Sequence, residues 1–451
     1  MQGVLPRMAL RLGLGSPDSE APNDDATRKR LMGILPGKPV ISPGDWEKII
    51  TYYRESAPAS LSVQADKPAT QDTASLFQAQ RSNIPVAALV AGLSYDSLNK
   101  RIFAGLKGGI LYVFDGNLQA IDSFQTPSTA VQVLGRPDRG IDVLSVGPMV
   151  PSDADKGEWA QVSPRVEGRF QVKVQQKGLR RPVYMAQGDL NQDGRSDAVV
   201  CQHGHYTGKL SWHEQQADGS YKEHVIEERP GARIAYIADL NHDQLPDILT
   251  LWAQGKEEVV FYANKGNGQF AKENWLEFPS VYGSAYLEIA DMNGDGFFDL
   301  VYTNGDNADY SQILKPYHGI RIFQNDGQNH FTEAHFYPMY GASKALARDF
   351  DQDGDLDIAA IAYFPSYLSG KPESFVYLEN KGGYVFAPAS FPEANTGRWL
   401  CMDAADTDGD GDTDLLLGSY SSSVSFAPMD IQGQWSSERR GVLLLKNKLK
   451  H

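Results

Sequence analysis

From about Ile84 onward, short apolar runs alternate with turns built from Gly, Asn, Asp and Pro. Ile234 to Ala238, Ile248 to Trp252 and Val259 to Ala263 are three such runs, and the turn Asn264 to Gly268 leads to a fourth that opens on Phe270. Short alternating runs punctuated by tight turns predict strands joined as hairpins. The same unit returns at Tyr286 to Ala290, Leu300 to Tyr302 and Gly319 to Gln324, and again through Ile358 to Ala362 and Phe375 to Glu379. Four strands per unit is the pattern of a propeller blade.

Two less regular units come first. One runs from Ile84 through Tyr95 to Phe114 and turns at Asp115 and Gly116; the other runs from Ala130 through Val146 to outer strands near Gln161 to Val174. The last unit ends at its third strand, Gly441 to Asn447. The segment Ser75, Leu76, Phe77 is expected to supply the missing fourth strand, because a closed ring leaves no inner edge open to aggregation. The predicted fold is all-β: a seven-bladed β-propeller of four-stranded antiparallel blades, preceded by a short α-helical segment. The expected divisions are residues 1–59 (helical), 60–74 (linker) and 75–451 (propeller). In the first part, Leu5, Met8, Ala9 and Leu12 predict a helix over Val4 to Leu12, and Ser16 to Arg30 reads as a polar spacer. Ser42, Pro43 and Asp45 ahead of Trp46, Ile49, Ile50 and Tyr53 predict a second, capped helix.

Each of the last five units carries the same nine-residue acidic loop between its first two strands. Its odd positions are Asp189, Asn191, Asp193, Arg195 and Asp197; Asp239, Asn241, Asp243, Leu245 and Asp247; Asp291, Asn293, Asp295, Phe297 and Asp299; Asp349, Asp351, Asp353, Asp355 and Asp357; Asp406, Asp408, Asp410, Asp412 and Asp414. A hard cation such as Ca²⁺ takes six to eight oxygens from a tight loop. Side chains at positions 1, 3, 5 and 9 with the main-chain carbonyl of position 7 form such a set. An EF-hand needs Glu at position 12, where this chain has Val200, Thr250, Tyr302, Ala360 and Leu417. Up to five structural Ca²⁺ ions are therefore expected. The second loop is expected to be weakest, since Gln244 replaces the turn glycine. Among 451 residues the formal net charge is −15, and five divalent ions would bring it to −5. An acidic chain repels phosphates, so no nucleic-acid partner is expected. No apolar run is long enough to span a membrane. Cys201 and Cys401 are too few for a disulfide scaffold.

These loops resemble FG-GAP or VCBS repeats, the calcium-loop blades of integrin-α-like propellers and of many secreted bacterial proteins. The resemblance implies the propeller fold and the calcium role, but no single activity. The stretch Leu35 to Pro58 resembles the C-terminal helical region of a c-type cytochrome module. No Cys-x-x-Cys-His occurs, so covalent haem is not expected, and the segment reads as a remnant or as the end of a truncated module.

In a four-stranded meander the acidic loops leave one face of the ring, while the 2–3 and 4–1 connections leave the other. That second face collects the chemically unusual residues: His203, His205, Tyr206, Trp252, Asp306, Asn307, Asp309, Tyr310, Lys315, Tyr317, His318, Arg398 and Trp399. Aromatic planes beside cations and amides suit a glycan or protein ligand. The leading expectation is an extracytoplasmic, calcium-stabilised binding module. A carbohydrate lyase or dehydratase, with His318 or Tyr310 as base, and an electron-transfer partner are the alternatives. The sequence assigns no catalytic residue.

Overall fold

The computed structural model describes residues 4–15, 24–57, 62–71, 76–166, 169–307, 313–367, 372–422, 427–438 and 440–449. Seven four-stranded antiparallel sheets form the ring. Blade 1 runs from Val90 to Gln125, blade 2 from Ala130 to Arg180, blade 3 from Pro182 to Glu227 and blade 4 from Ala232 to Phe278. Blade 5 runs from Ser284 to Pro338 and blade 6 from Ala342 to Ala389. Blade 7 contains Trp399–Ala405, Asp414–Ser419 and Val442–Asn447. Its outermost strand is Phe77–Arg81, which pairs antiparallel with Val442–Asn447 in the register Phe77 to Asn447. The expected closing strand is therefore present, although Ser75 lies outside the described residues. Phe77 packs edge-on against Phe350 and Tyr377 of blade 6, so the same residue that closes the sheet also fills an inter-blade core.

Apolar side chains pack between blades rather than at a single centre. Leu346, Ile361 and Phe375 of blade 6 meet Met402, Leu415 and Leu443 of blade 7, and Leu249 and Phe261 of blade 4 meet Leu287 and Tyr302 of blade 5. Every innermost strand slips its pairing register at the same place, between Val90 and Gly92, Ala130 and Gln132, Pro182 and Tyr184, Ala232 and Ile234, Ser284 and Tyr286, Ala342 and Lys344, and Trp399 and Cys401. A bulge adds one residue and sharpens the local twist. Repeated seven times, it bends each inner strand identically.

The N-terminal part holds three helices: α1 (Val4–Arg11), α2 (Asp25–Ile34) and α3 (Pro43–Ser56). Helices α1 and α3 occupy the expected places, and Ser42 caps α3 by accepting the Asp45 N–H at 3.1 Å. Helix α2 corrects the reading of Ser16 to Arg30 as a spacer. Asp24 caps it, accepting the Thr27 N–H at 2.8 Å. Its sequence carries little apolar periodicity because it docks largely through polar contacts. Thr27 Oγ1 accepts the Asp153 N–H at 2.6 Å, Ser152 donates to Asp24 at 2.6 Å, and Arg30 pairs with Asp155 at 2.6 Å. Leu31 adds the apolar contact, 1% exposed beside Leu10 and Tyr206. The stretch expected as a linker is also docked. Gln64 donates to the His318 carbonyl at 2.9 Å, Lys67 donates to the Pro338 carbonyl at 2.6 Å and pairs with Glu373, and Gln71 bridges to Ala389. Residues 62–71 thus form a strap across blades 5 and 6. A fourth helix, α4 (Met429–Glu438), sits in the long connection within blade 7.

Candidate metal centres and the opposite face

The acidic loops are held by their own hydrogen bonds. Position 1 accepts main-chain N–H groups across the loop: Asp189 takes Asp193 N–H at 3.0 Å and Gly194 N–H at 2.8 Å, and Asp291 takes Asp295 N–H at 3.1 Å and Gly296 N–H at 2.9 Å. The turn needs a positive φ at position 6, where Gly194, Gly296, Gly354 and Gly411 sit without steric penalty. Gln244 is held at φ +74 in the second loop, a left-handed backbone that disfavours side chains.

Position 9 has a role the sequence reading missed. Asp197, Asp247, Asp299, Asp357 and Asp414 are all buried. One oxygen of each accepts the N–H of position 2, from Leu190, Leu240, Met292, Phe350 and Thr407 at 3.0–3.2 Å. The other accepts an N–H at the end of the blade's third strand, from Gln215, Asn264, Asn325, Asn380 and Asn447, each at 2.8 Å. These carboxylates join three segments of the blade through charge-assisted hydrogen bonds. The recurring Asn at the end of strand three was the available signal.

The loops divide into two groups. In blades 3 to 5, Asn at position 3 donates to the carboxylate at position 5, as Asn191 to Asp193 at 2.9 Å, Asn241 to Asp243 at 3.0 Å and Asn293 to Asp295 at 2.8 Å. Arg195 also pairs with Asp193. In blades 6 and 7 position 3 is Asp, and carboxylate oxygens of Asp349, Asp351 and Asp353, and of Asp406, Asp408 and Asp410, lie within 4.8 Å of one another. Asp349 Oδ1 is buried and receives no hydrogen bond. Burial, with the charges of Asp353, Asp351 and Asp349, holds Asp355 above its ordinary pKa. In blade 6, convergent oxygens, an orphaned buried acceptor and raised pKa values describe a site short of positive charge, which fits a hard divalent cation; in blade 7, Lys446 already pairs with Asp408 at 2.8 Å.

On the opposite face the expected residues divide by accessibility. Trp252 is 0% exposed inside the blade 3–4 core, with the Arg229 guanidinium 3.9 Å from its ring centre. Trp399 is buried and donates Nε1–H to the Ala394 carbonyl at 2.7 Å. His318 is 1% exposed; burial pushes its pKa down to about 3, and Nε2 has no hydrogen-bond partner. A base that weak and that enclosed does not suit proton abstraction. Asn307 is buried and donates to the Ile313 carbonyl at 2.8 Å. His203 is buried with its pKa lowered by desolvation. The His205, Tyr206 and Thr207 amides surround the Asp153 carboxylate at 2.8–3.2 Å, and Tyr206 lies under α1 and α2 with Arg11 5.3 Å from its ring centre. Asp306, Lys315 and Tyr317 remain half-buried, and Tyr317 stacks on Tyr282 at 5.3 Å. Arg398 is buried over the Tyr363 ring at 3.8 Å. Asp309 and Tyr310 lie outside the described residues. The chain's own helices and strap therefore cover part of the face on which ligand contacts were expected.

The model for the FG-GAP-like repeat matches residues 189–250 and 239–302, which carry the acidic loops of blades 3, 4 and 5. Blades 3 to 5 thus carry FG-GAP-like repeats within a seven-bladed β-propeller. The loops of blades 6 and 7 repeat the same spacing beyond the matched region. No curated protein matches the sequence. Among solved structures the propeller is similar to the WD40 domain of Neurospora crassa Pan2, at 11% identity over 80% of this chain and 90% of that one, with a TM-score of 0.46. It is also similar to Saccharomyces cerevisiae Sqt1, at 7% identity over 82% of this chain and 98% of that one, with a TM-score of 0.46. Among the described residues no helix is long and apolar enough to cross a membrane.

Proposed function

We propose that this propeller is a calcium-stabilised binding module working outside the cytoplasm, where free Ca²⁺ is high enough to fill weak sites. Its ligand, a glycan or a protein, would meet the face opposite the acidic loops. The observation that carries the calcium reading is the three-carboxylate convergence in blades 6 and 7, with Asp349 Oδ1 buried and unsatisfied. Asp349, Asp351 and Asp353, and Asp406, Asp408 and Asp410, would hold the ions. The bound charge would neutralise loops that otherwise repel themselves. Blades 3 to 5 would bind more weakly, because each position-3 Asn must first give up its contact with position 5.

The test is a calcium titration followed by calorimetry and by melting. Calcium should bind at two tighter sites and up to three weaker ones, and saturation should raise the melting temperature by many degrees. A site filled to about 100 times its Kd contributes about 2.7 kcal/mol. D351N combined with D408N should remove the tighter class. Melting that is indifferent to both calcium and chelator would end the metal reading.

A further inference from the structure

Arg398 is buried on the face opposite the acidic loops, at the junction of blades 6 and 7. Its Nε–H donates to the Tyr363 carbonyl at 3.0 Å, and its guanidinium lies 3.8 Å from the Tyr363 ring centre and 5.1 Å from that of Phe364. Nη1 is buried without a hydrogen-bond partner, and no described carboxylate forms an ion pair with this arginine. Residues 368–371 and 423–426 contain neither Asp nor Glu. Among the described residues this enclosed guanidinium therefore has no carboxylate partner. Taking such a charge out of water is costly, and cation–π contact returns only part of that cost. The surroundings add a second unsatisfied donor. Trp435, on α4, is buried with Nε1–H unpaired, and its ring lies 6.4 Å from that of Tyr367.

We infer that Arg398 is the anchor of a carboxylate-binding site, walled by Tyr363, Phe364, Tyr367 and Trp435. A planar guanidinium whose Nη1 has no hydrogen-bond partner matches the oxygens of a carboxylate. The aromatic walls suit a carboxylate carried on a ring or a chain with an apolar face, such as a sugar acid. This rests on the reading of that face as the binding face and is independent of the metal.

The experiment compares wild type with R398M in calcium-saturated buffer at constant ionic strength. The probes are sodium glucuronate, sodium acetate, sodium phosphate and neutral glucose. Without probe, R398M should melt at or above wild type, because it removes an uncompensated buried charge. Glucuronate should raise the wild-type melting temperature in a saturable way and change tryptophan emission, with acetate weaker and glucose inert. R398M should lose the response by at least tenfold in apparent affinity, so that the order of melting temperatures reverses. If R398M melts below wild type with and without every probe, the arginine is a packing element and the inference falls. A response to phosphate alone, or a glucuronate response unchanged in R398M, also overturns it. The face could still bind a ligand elsewhere in those cases, and calcium stabilisation would be untouched.

Discussion

The Asp299 carboxylate accepts the main-chain N–H of Asn325 at 2.8 Å, tying the start of one strand to the end of the next. Its other oxygen accepts the Met292 N–H at 3.0 Å. Asp295, four residues earlier, lies at the open end of the same loop. Asp299→Ala should therefore cost about 3 kcal/mol, from two lost charge-assisted hydrogen bonds, with or without calcium. Asp295→Ala should cost clearly more in calcium than in chelator, where only its exposed contacts with Asn293 and Phe297 are lost. Urea unfolding of both variants in calcium and in chelator separates the two roles, and equal losses in all four conditions would contradict this division.

Gln244 marks a correctable strain. Its φ of +74 is reached at no steric cost only by glycine. Gln244→Gly should stabilise the chain by about 1 kcal/mol, and calcium affinity at the second loop should not fall. A loss of stability would show that the Gln244 side chain supports the turn.

Among the enclosed histidines, His213 and His318 set an acid limit. Burial lowers the pKa of His213 to about 4 and of His318 to about 3, both below the ordinary 6.5. Above pH 6.5 both states are neutral and nothing is gained or lost. As pH falls below 6.5 the unfolded chain takes up protons that the native state refuses, so stability declines until the folded pKa is reached. Between pH 7 and 4.5 each histidine should remove about 2–3 kcal/mol. His213→Gln and His318→Gln should each flatten that decline in urea midpoints; a slope equal to wild type would refute the assignment.

Helix α2 is held to blades 2 and 3 by Leu31, Thr27 and Arg30. Leu31→Asp should free it, speeding tryptic cleavage at Arg28 to Arg30 while moving the main melting transition little. Cleavage at the wild-type rate would mean that polar contacts alone suffice.

The blades were legible because short apolar runs, buried at every position in the second strands of blades 3, 5, 6 and 7, recur between turns of Gly, Asn and Asp, and because five acidic loops recur in register. The closing role of Phe77 could be read from the missing fourth strand. Helix α2 was hidden, because Leu31 is its single large buried apolar side chain and Asp24, Thr27 and Arg30 look like solvated residues. Trp252 and Trp399 looked like loop residues because they stand at strand ends, where a one-residue difference decides between core and surface. The aspartates at position 9 share a motif with the carboxylates at positions 1, 3 and 5, and spacing alone could not show that they also accept main-chain N–H groups from two other segments of the blade.

The pairing of Phe77 with Asn447 has a consequence for how the molecule is made. The ring cannot be latched until nearly the whole propeller has left the ribosome, so six sheets must wait while the seventh stays one strand short. During that interval the newest sheet offers a raw edge, and a neighbouring nascent chain could claim it. Assembly therefore favours whatever keeps the early strand close to hand, and the docked strap just ahead of it would serve as that tether.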